Sequence, residues 1–193
     1  SRMVFMSLEF TGKIPFKEVL IHPVIQTPDG KRMSKSKGNA IDPLEMIDKY
    51  GADANRFWYF SIGIRGNQDV RFSGRKDKDG KWESETLEQY RRFANKLWNA
   101  VRFVLQNLEE GKKYEIDLGR GLINQTITNQ TLTIADKWIL HKYNELVFNI
   151  KGDFFEYRFS EIADHIYKFT WDEFCDWYIE IAKRQLAEPS LKE

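Results

Sequence analysis

The sequence predicts a mostly α-helical protein with a small α/β portion near its N-terminus. Hydrophobic residues make up 41% of the 193 residues and aromatic residues 15%, which suffices to bury the core of one or two domains. Three segments from residue 85 onward repeat apolar residues at three- and four-residue steps, the period of an amphipathic helix. Before them, a short apolar run at residues 19–25 is typical of a strand in a parallel sheet. Helices should therefore dominate the fold.

Residues 1–16 mix apolar side chains without a clear N-cap, so we expect the chain to begin inside an element. The apolar run at 19–25 then predicts a buried strand, although Pro23 within it cannot donate to a ladder. His22 in the same run has two interpretations, a core or rim histidine or one wall of a ligand site.

The chemistry is concentrated in residues 31–39, here called the basic loop. It holds four cations, two hydroxyls and a glycine, Lys-Arg-Met-Ser-Lys-Ser-Lys-Gly-Asn. Pro28-Asp29-Gly30 before it is a turn signal, and Asp42 and Pro43 after it predict an N-cap with a capping box to Glu45. A basic run is ordinarily a solvated surface loop. Between a turn and a capped helix, however, its cations and amides can close over a polyphosphate.

Two short helices should follow at residues 43–49, ended by Gly51 in the left-handed conformation, and at 53–61. Residues 63–80 are rich in Gly, Asp, Lys and Arg and predict a domain boundary. We assign 63–83 to a linker, within which 76–83 is a surface insertion.

Residues 85–108 predict a long amphipathic helix with one core-facing stripe, formed by Leu87, Tyr90, Ala94, Leu97, Trp98, Val101, Leu105 and Leu108. The opposite side carries what we call the cationic stripe, Arg92, Lys96, Asn99 and Phe103. Cations that hold phosphates and a ring that stacks on a base would suit RNA. A solvated face, with Phe103 buried against a neighbouring helix, explains the same pattern, and both interpretations stay open.

Two further helices are predicted at residues 134–150 and 159–186. The second has a wide apolar arc and, on its other face, an acidic row of Asp172, Asp176 and Glu180. Three acids at four-residue steps are interpreted as a solvated face, not as catalytic carboxylates or metal ligands. Because acids repel phosphates, this face should point away from RNA.

A resemblance to a known family rests on these motifs. Met33-Ser34-Lys35-Ser36, followed by Lys37-Gly38-Asn39 and Ile41-Asp42-Pro43, resembles the second signature of the class I aminoacyl-tRNA synthetases. Asp48-Lys49-Tyr50-Gly51-Ala52-Asp53-Ala54 and Asp69-Val70-Arg71-Phe72 are similar to segments of the valine, isoleucine and leucine members. The motifs at residues 93–100 and 174–178 narrow the resemblance to the valyl branch, over nearly the whole chain.

The resemblance implies a C-terminal remnant of a nucleotide-binding, Rossmann-like catalytic domain at 1–62, the linker at 63–83, and an anticodon-binding helical bundle at 84–193. It implies a parent enzyme that activates valine with ATP and transfers it to tRNA(Val). Lys35 would be the catalytic cation that stabilises the departing pyrophosphate. Arg32, Ser34 and Ser36 would bind ATP with it, Arg32 standing where the family usually has Lys. Mg²⁺ is expected with ATP in the parent, whereas the chain itself should hold no metal or cofactor.

The family's first signature, a His-Ile-Gly-His-like sequence, does not occur, and His22, His141 and His165 are isolated. We therefore expect a C-terminal part of a synthetase that is inactive alone; the alternatives are a stand-alone tRNA-binding module and a different nucleotidyltransferase that shares only the loop. One cysteine, no secretory signal and no apolar run that spans a bilayer predict a cytoplasmic protein that does not bind membranes. The parent is expected to be monomeric.

Overall fold

The structure is a computed structural model, which describes residues 1–63, 69–108 and 132–187 without the side chain of Lys35. Its helices are α1 (Arg2–Thr11), α2 (Pro43–Tyr50), α3 (Ala52–Ile62), α4 (Glu85–Gln106), α5 (Ile134–Phe155), α6 (Phe159–Lys168) and α7 (Ile179–Ala187). The strands are β1 (Ile25–Gln26), β2 (Val70–Arg71), β3 (Arg75–Lys76) and β4 (Trp82–Glu83). A 3₁₀ turn occupies Lys35–Lys37, and a π-helical segment, Phe169–Tyr178, joins α6 to α7.

The small α/β portion is a parallel strand pair with two helices in its connection. Ile25 pairs with Val70 and Gln26 with Arg71, and α2 and α3 lie between the two strands in the chain. The predicted strand at 19–25 is wrong over residues 19–24, where Val19 is 68% and Ile21 73% exposed. Pairing is limited to the two residues that face β2, because Pro23 lacks an N–H and β2 itself is only two residues long.

The start of α2 follows its sequence signal in part. Asp42 is the N-cap, and its Oδ1 accepts the N–H of Leu44 at 2.9 Å. The predicted capping box is wrong, because Glu45 Oε1 instead accepts the N–H of Trp82 at 3.1 Å. Gly51 ends α2 with φ 88° and ψ 154°, a positive φ but not the left-handed helical conformation predicted for it. Tertiary pairing and the immediate start of α3 at Ala52 replaced both local motifs.

The residues interpreted as a surface insertion form an antiparallel hairpin of β3 and β4. Its Trp82 is half-buried and meets Phe72 edge-on at 5.8 Å. Trp82 packs against the larger hydrophobic core, which consists of Met46, Tyr50, Ala54, Trp58, Phe72 and Leu87. That core takes residues from both sides of the predicted linker, so residues 1–62 and the first turn of α4 share one interior. The division into domains stays a prediction.

In the helical bundle, α5 packs against α6 and against the π-helical segment. Helix α4 packs against the π-helical segment. Phe93 of α4 stacks on Tyr167 at 4.8 Å, and Tyr167 stacks on Trp171 at 5.7 Å. The predicted core stripe is therefore right at Leu87 and wrong along the second half of α4. Phe93 and Ala100 are buried in place of the predicted residues. Five predicted core residues are exposed: Leu97 41%, Trp98 72%, Val101 46%, Leu105 62% and Leu108 42%.

The predicted helix at 159–186 is confirmed in extent, since helical structure runs without a break from Phe159 to Ala187. Its ten central residues are π-helical, which the apolar pattern did not predict. Helix α5 runs on to Phe155, five residues beyond its predicted end, and turns into α6 through Tyr157 at φ 57°. The corner is held by buried Asp153, whose carboxylate lies 2.7 Å from the Arg158 guanidinium. None of the described helices combines the length and apolar character needed to cross a membrane.

Candidate functional site

The basic loop leaves a turn that is closed by the side chain and backbone of Thr27. The N–H of Thr27 donates to Lys31 O at 2.9 Å, and that of Gly30 donates to Thr27 O at 2.9 Å. The buried Thr27 hydroxyl also accepts the N–H of Lys31 at 3.0 Å. Gly30 adopts φ 78°, which favours glycine. The predicted turn is thus confirmed, and it fixes the first residue of the loop.

One of the four loop cations is already paired. Lys31 Nζ lies 2.7 Å from Asp29 Oδ2, and both side chains are exposed. The hydrogen bond from Lys31, with a further one from Thr27, lowers the pKa of Asp29 to about 2. Lys31 therefore neutralises the turn, which leaves Arg32 and Lys37 as the cations of the loop, among its described side chains, that are available to a ligand.

The inside of the loop is braced by Asn39, a residue that the sequence analysis did not single out. Its Oδ1 accepts the N–H of Ser34 at 2.9 Å, and its Nδ2 donates to Arg32 O at 3.3 Å. The N–H of Lys37 donates to Ser34 O at 3.2 Å and closes the 3₁₀ turn. Asparagine side chains commonly bond nearby backbone in turns, so an Asn after Gly38 was the signal that could have found this brace.

The two ends of the loop are anchored in the protein interior while its centre faces solvent. Met33 and Ile41 are partly buried and pack against the larger hydrophobic core. Ser36, Lys37 and Gly38 between them are exposed. The loop is consequently a projecting arch with fixed ends, and its cations and hydroxyls can meet an anion without first being released from the core.

The structure brings together most of the residues predicted to bind ATP. The Ser34 and Ser36 hydroxyls lie 2.7 Å apart, and Arg32 is exposed at the start of the arch. The backbone of Lys35 opens the 3₁₀ turn between the two serines, while its side chain lies outside the described part of the structure. Across the described residues, no three His, Cys, Asp or Glu side chains are grouped so that they could hold a metal ion.

The cationic stripe of α4 does not form the single surface that its spacing predicts. Lys96 makes an ion pair with Asp176 and lies 3.9 Å from the centre of the Trp171 ring. Phe103 is half-buried beside Lys183, whose Nζ is 5.8 Å from the ring centre. Of the four residues of the stripe, only Arg92 and Asn99 are exposed.

The acidic row is not separate from this stripe. Asp172, Asp176 and Glu180 are exposed as predicted, but Asp176 meets Lys96 across the helix interface. The reason is that Phe93 turns this side of α4 towards Tyr167 and Trp171, so the middle of the stripe becomes an inter-helix contact. A tRNA-binding role for Arg92, Lys96, Asn99 and Phe103 stays a prediction.

Comparisons with known proteins agree with the order of the two regions along the chain. Residues 1–73 match the family model of tRNA synthetases class I (I, L, M and V), and residues 136–193 match that of the anticodon-binding domain of tRNA ligase. The chain is 47% identical over 186 residues to a valine–tRNA ligase of Bacillus cereus and 46% identical to one of Enterococcus faecalis. The chain belongs to the class I aminoacyl-tRNA synthetases. Each of these alignments covers 96% of the chain and 19% of the relative.

A solved structure shares the fold of this class I synthetase chain. It is the Agrobacterium radiobacter K84 LeuRS, determined as a ternary complex with tRNA and LeuAMS, and it aligns over 87% of the chain and 19% of its own length with a TM-score of 0.62. At 18% sequence identity this likeness concerns the fold alone. The chain thus spans about a fifth of the length of the relatives that it matches, and it carries the basic loop and the helices that follow.

Proposed function

We propose that the chain is the part of a valine–tRNA ligase that supplies the basic loop and a tRNA-binding helical bundle. The whole enzyme would join valine and ATP into valyl-adenylate and pyrophosphate, and then transfer the valyl group to the terminal ribose of tRNA(Val). The 47% identity over 186 residues to a protein of that name supports the valyl branch over other class I members. The fold and both family models support the synthetase class itself.

The observation that carries the proposed mechanism is the brace of the basic loop by Asn39. Its hydrogen bonds to Ser34 and Arg32 hold the arch in shape before any ligand arrives. Negative charge develops on the pyrophosphate as it leaves, and donors fixed in advance stabilise such charge at little reorganisation cost. We assign Lys35 as the catalytic cation, with Arg32, Ser34 and Ser36 as further ATP-binding groups. Arg32 can present two parallel N–H groups to a phosphate, which Lys cannot.

Mg²⁺ fits this loop only through ATP. The loop offers cations, hydroxyls and amides, whereas Mg²⁺ prefers carboxylate and phosphate oxygens. Asp29, the nearest acid in sequence, is paired with Lys31. In the proposed reaction a Mg²⁺ ion would therefore be carried by the phosphates and would neutralise part of their charge, while residues of this chain bind the remaining oxygens.

A stand-alone tRNA-binding module is a less favoured proposal. It would need a bundle that separates from the catalytic remnant, yet Leu87 of α4 is completely buried in the core beside Met46 and Trp58. Contact with tRNA by the bundle remains part of the main proposal, as do a monomeric parent and a cytoplasmic location.

The test is valine-dependent pyrophosphate exchange by the full-length protein and by its Lys35→Ala variant. We expect the variant to form adenylate about 10² to 10³ times more slowly in a single turnover, the usual loss for one preorganised charge donor. Thermal stability should be unchanged because the arch is exposed. Lys78→Ala, in the exposed turn of the β3–β4 hairpin, is the matched control and should retain full activity.

The 193-residue chain by itself is expected to show no exchange and serves as a negative control. Equal adenylation rates for Lys35→Ala and the unaltered protein would remove Lys35 from its assigned role. A full-length protein that exchanges pyrophosphate with another amino acid but not with valine would overturn the valyl assignment.

A further inference from the structure

A row of polar residues crosses the sheet beside the basic loop. Gln26 of β1 is the pairing partner of Arg71 in β2 and, on its other side, forms an antiparallel bridge with Arg32. Cross-strand partners project to the same face of a sheet. Arg32, Gln26 and Arg71 therefore point to one side, and the two arginines stand on strands about 10 Å apart, twice the spacing of neighbouring strands.

Contacts of the neighbouring residues fix which face this is. Ile25, which precedes Gln26 on β1, projects to the opposite face and packs against the larger hydrophobic core. On the polar face, Asp69 Oδ2 accepts a hydrogen bond from Gln26 Nε2 at 2.6 Å, and its Oδ1 accepts one from Val24 N at 3.3 Å. The row thus faces away from the core, with both arginines exposed.

The two arginines give this face a net positive charge. Within the described part of the chain, neither Arg32 nor Arg71 forms an ion pair with a carboxylate. Asp69, two residues before Arg71, has both oxygens committed to Gln26 and Val24. Asp29, close to Arg32 in sequence, is committed to Lys31. Asp69 keeps its negative charge, so two arginines and one carboxylate leave this face with a net charge of +1, which favours an anionic ligand.

The guanidinium of Arg71 also lies close to the turn that precedes the basic loop. A Cβ atom placed on Gly30 would lie 3.2 Å from Arg71 Nε and 3.3 Å from its Nη2. Such contacts are tight, so a side chain at residue 30, which φ 78° already disfavours, would displace the guanidinium by a few tenths of an ångström. Arg71 therefore lies beside the same turn that fixes the start of the loop, although it follows the loop by more than thirty residues in the chain.

We propose that Arg71 is a further phosphate-binding residue of this site, which with Arg32 grips the phosphate oxygens of ATP at the base of the basic loop. The inference rests on the proposed function, because it takes Arg32 to be an ATP-binding residue. Guanidinium groups bind phosphate by two parallel hydrogen bonds, so two of them on one face can hold a polyphosphate at two points beside the arch.

The experiment uses the full-length protein and the variants Arg71→Gln and Arg71→Lys. ATP binding is measured directly by calorimetry without amino acid, and the KM values for ATP and valine are measured by pyrophosphate exchange. We expect Arg71→Gln to weaken ATP binding and raise the KM for ATP about 10- to 100-fold, the cost of losing hydrogen bonds to a charged group. The KM for valine should stay unchanged, and Arg71→Lys should recover part of the loss.

Arg75→Gln is the matched control, since Arg75 is an exposed arginine on the neighbouring hairpin. It should bind ATP as the unaltered protein does. Unchanged ATP binding in Arg71→Gln would overturn the inference, and so would an equal rise in both KM values together with a lowered melting temperature, which would mean that Arg71 only supports the turn.

The proposed function fails separately. Suppose that the unaltered protein binds ATP but shows no valine-dependent exchange, and that Arg71→Gln abolishes the ATP binding. This result would support the phosphate site and reject the valyl assignment. Normal valine-dependent exchange by the unaltered protein, with unchanged ATP binding in Arg71→Gln, would support the valyl assignment and reject Arg71 as a phosphate-binding residue.

Discussion

The basic loop and the helical bundle are shaped by contacts of very different range. In the loop, Thr27 binds Lys31, Asn39 binds Ser34 and Asp42 caps Leu44, all within five residues. In the bundle, the contacts that set the helix faces join residues far apart in the chain. Lys96 and Asp176, for example, are 80 positions apart. The shape of the loop can therefore be predicted from residues close together in the chain, whereas the buried faces of the bundle depend on which helices pack together.

Helix α4 contains both situations. Its first turn is capped by Ser84, whose hydroxyl accepts the N–H of Leu87 at 3.3 Å, and Leu87 is buried as its periodicity predicts. Further along, Phe93 and Ala100 are buried and Trp98 and Leu105 are exposed. Beyond the first turns, both sides of α4 carry enough apolar residues to form a core. The side that is buried is the one that packs against the neighbouring helix.

Replacing Leu87 is the strongest way to separate the two halves of α4. Leu87→Ala removes a completely buried side chain from the core that joins the two regions. We expect it to lower the free energy of opening by about 2 to 5 kcal/mol, the range for such cavities. The measurement is native-state hydrogen exchange of the α3 and α4 amides in the full-length protein.

Leu105→Ala is the matched control, because the same change is made at a residue that is 62% exposed. It should alter the free energy of opening by less than about 0.5 kcal/mol. A loss at Leu105 as large as that at Leu87 would show that the exposed side of α4 is covered in the full-length protein.

Lys96 and Arg92 test whether the cationic stripe is divided as the structure indicates. Lys96→Met keeps the apolar stem but removes the ion pair to Asp176 and the cation–π contact with Trp171. We expect the bundle to lose about 1 kcal/mol of stability, with the tRNA affinity and its salt dependence unchanged. Melting curves and filter-binding titrations of tRNA(Val) at several salt concentrations measure the two effects.

Arg92→Ala should give the opposite result. The side chain of Arg92 is 71% exposed, and Glu88, its acidic partner among the described residues, also pairs with Arg91. If Arg92 neutralises a phosphate, its loss should lower the salt slope by about 0.7 to 0.9 with little change in melting temperature. An equal fall in slope for Lys96→Met would mean that the Lys96–Asp176 pair opens when tRNA binds.

The smallest expected effect concerns Tyr178, whose hydroxyl donates to Asp136 Oδ1 at 2.9 Å. Burial, and then this hydrogen bond, raise the pKa of Tyr178 from 10.0 to about 12. The folded protein thus keeps a proton that the unfolded chain releases above pH 10. The stabilisation is complete below pH 10 and is lost as the pH rises through 12.

Tyr178→Phe should therefore flatten the fall of melting temperature across that pH interval. The local cap on the same carboxylate, in which Asp136 Oδ2 accepts the N–H of Thr133 at 2.9 Å, is left intact by this change. An identical pH profile in the variant would show that burial and the hydrogen bond to Asp136 do not raise the pKa of Tyr178 in solution.

The sequence by itself determined the helices, their starts at Pro43, Glu85, Ile134 and Phe159, and the turn and cap that bracket the basic loop. These features depend on residues close together in the chain, such as Asp42 before Pro43 or Thr27 before Gly30. The loop motif likewise identified the family, because its meaning lies in a contiguous string of residue types.

Only the tertiary structure decided which face of α4 is buried, that Lys96 meets an acid, and that Arg71 lies against Gly30. Helical periodicity shows that a face is apolar but not which partner covers it, and α4 has apolar residues on both sides. The Glu45 carboxylate stands where it could have closed a local capping box, yet it accepts the N–H of Trp82, which the hairpin brings near. Contacts between distant residues depend on how the whole chain packs, so a local pattern leaves them open.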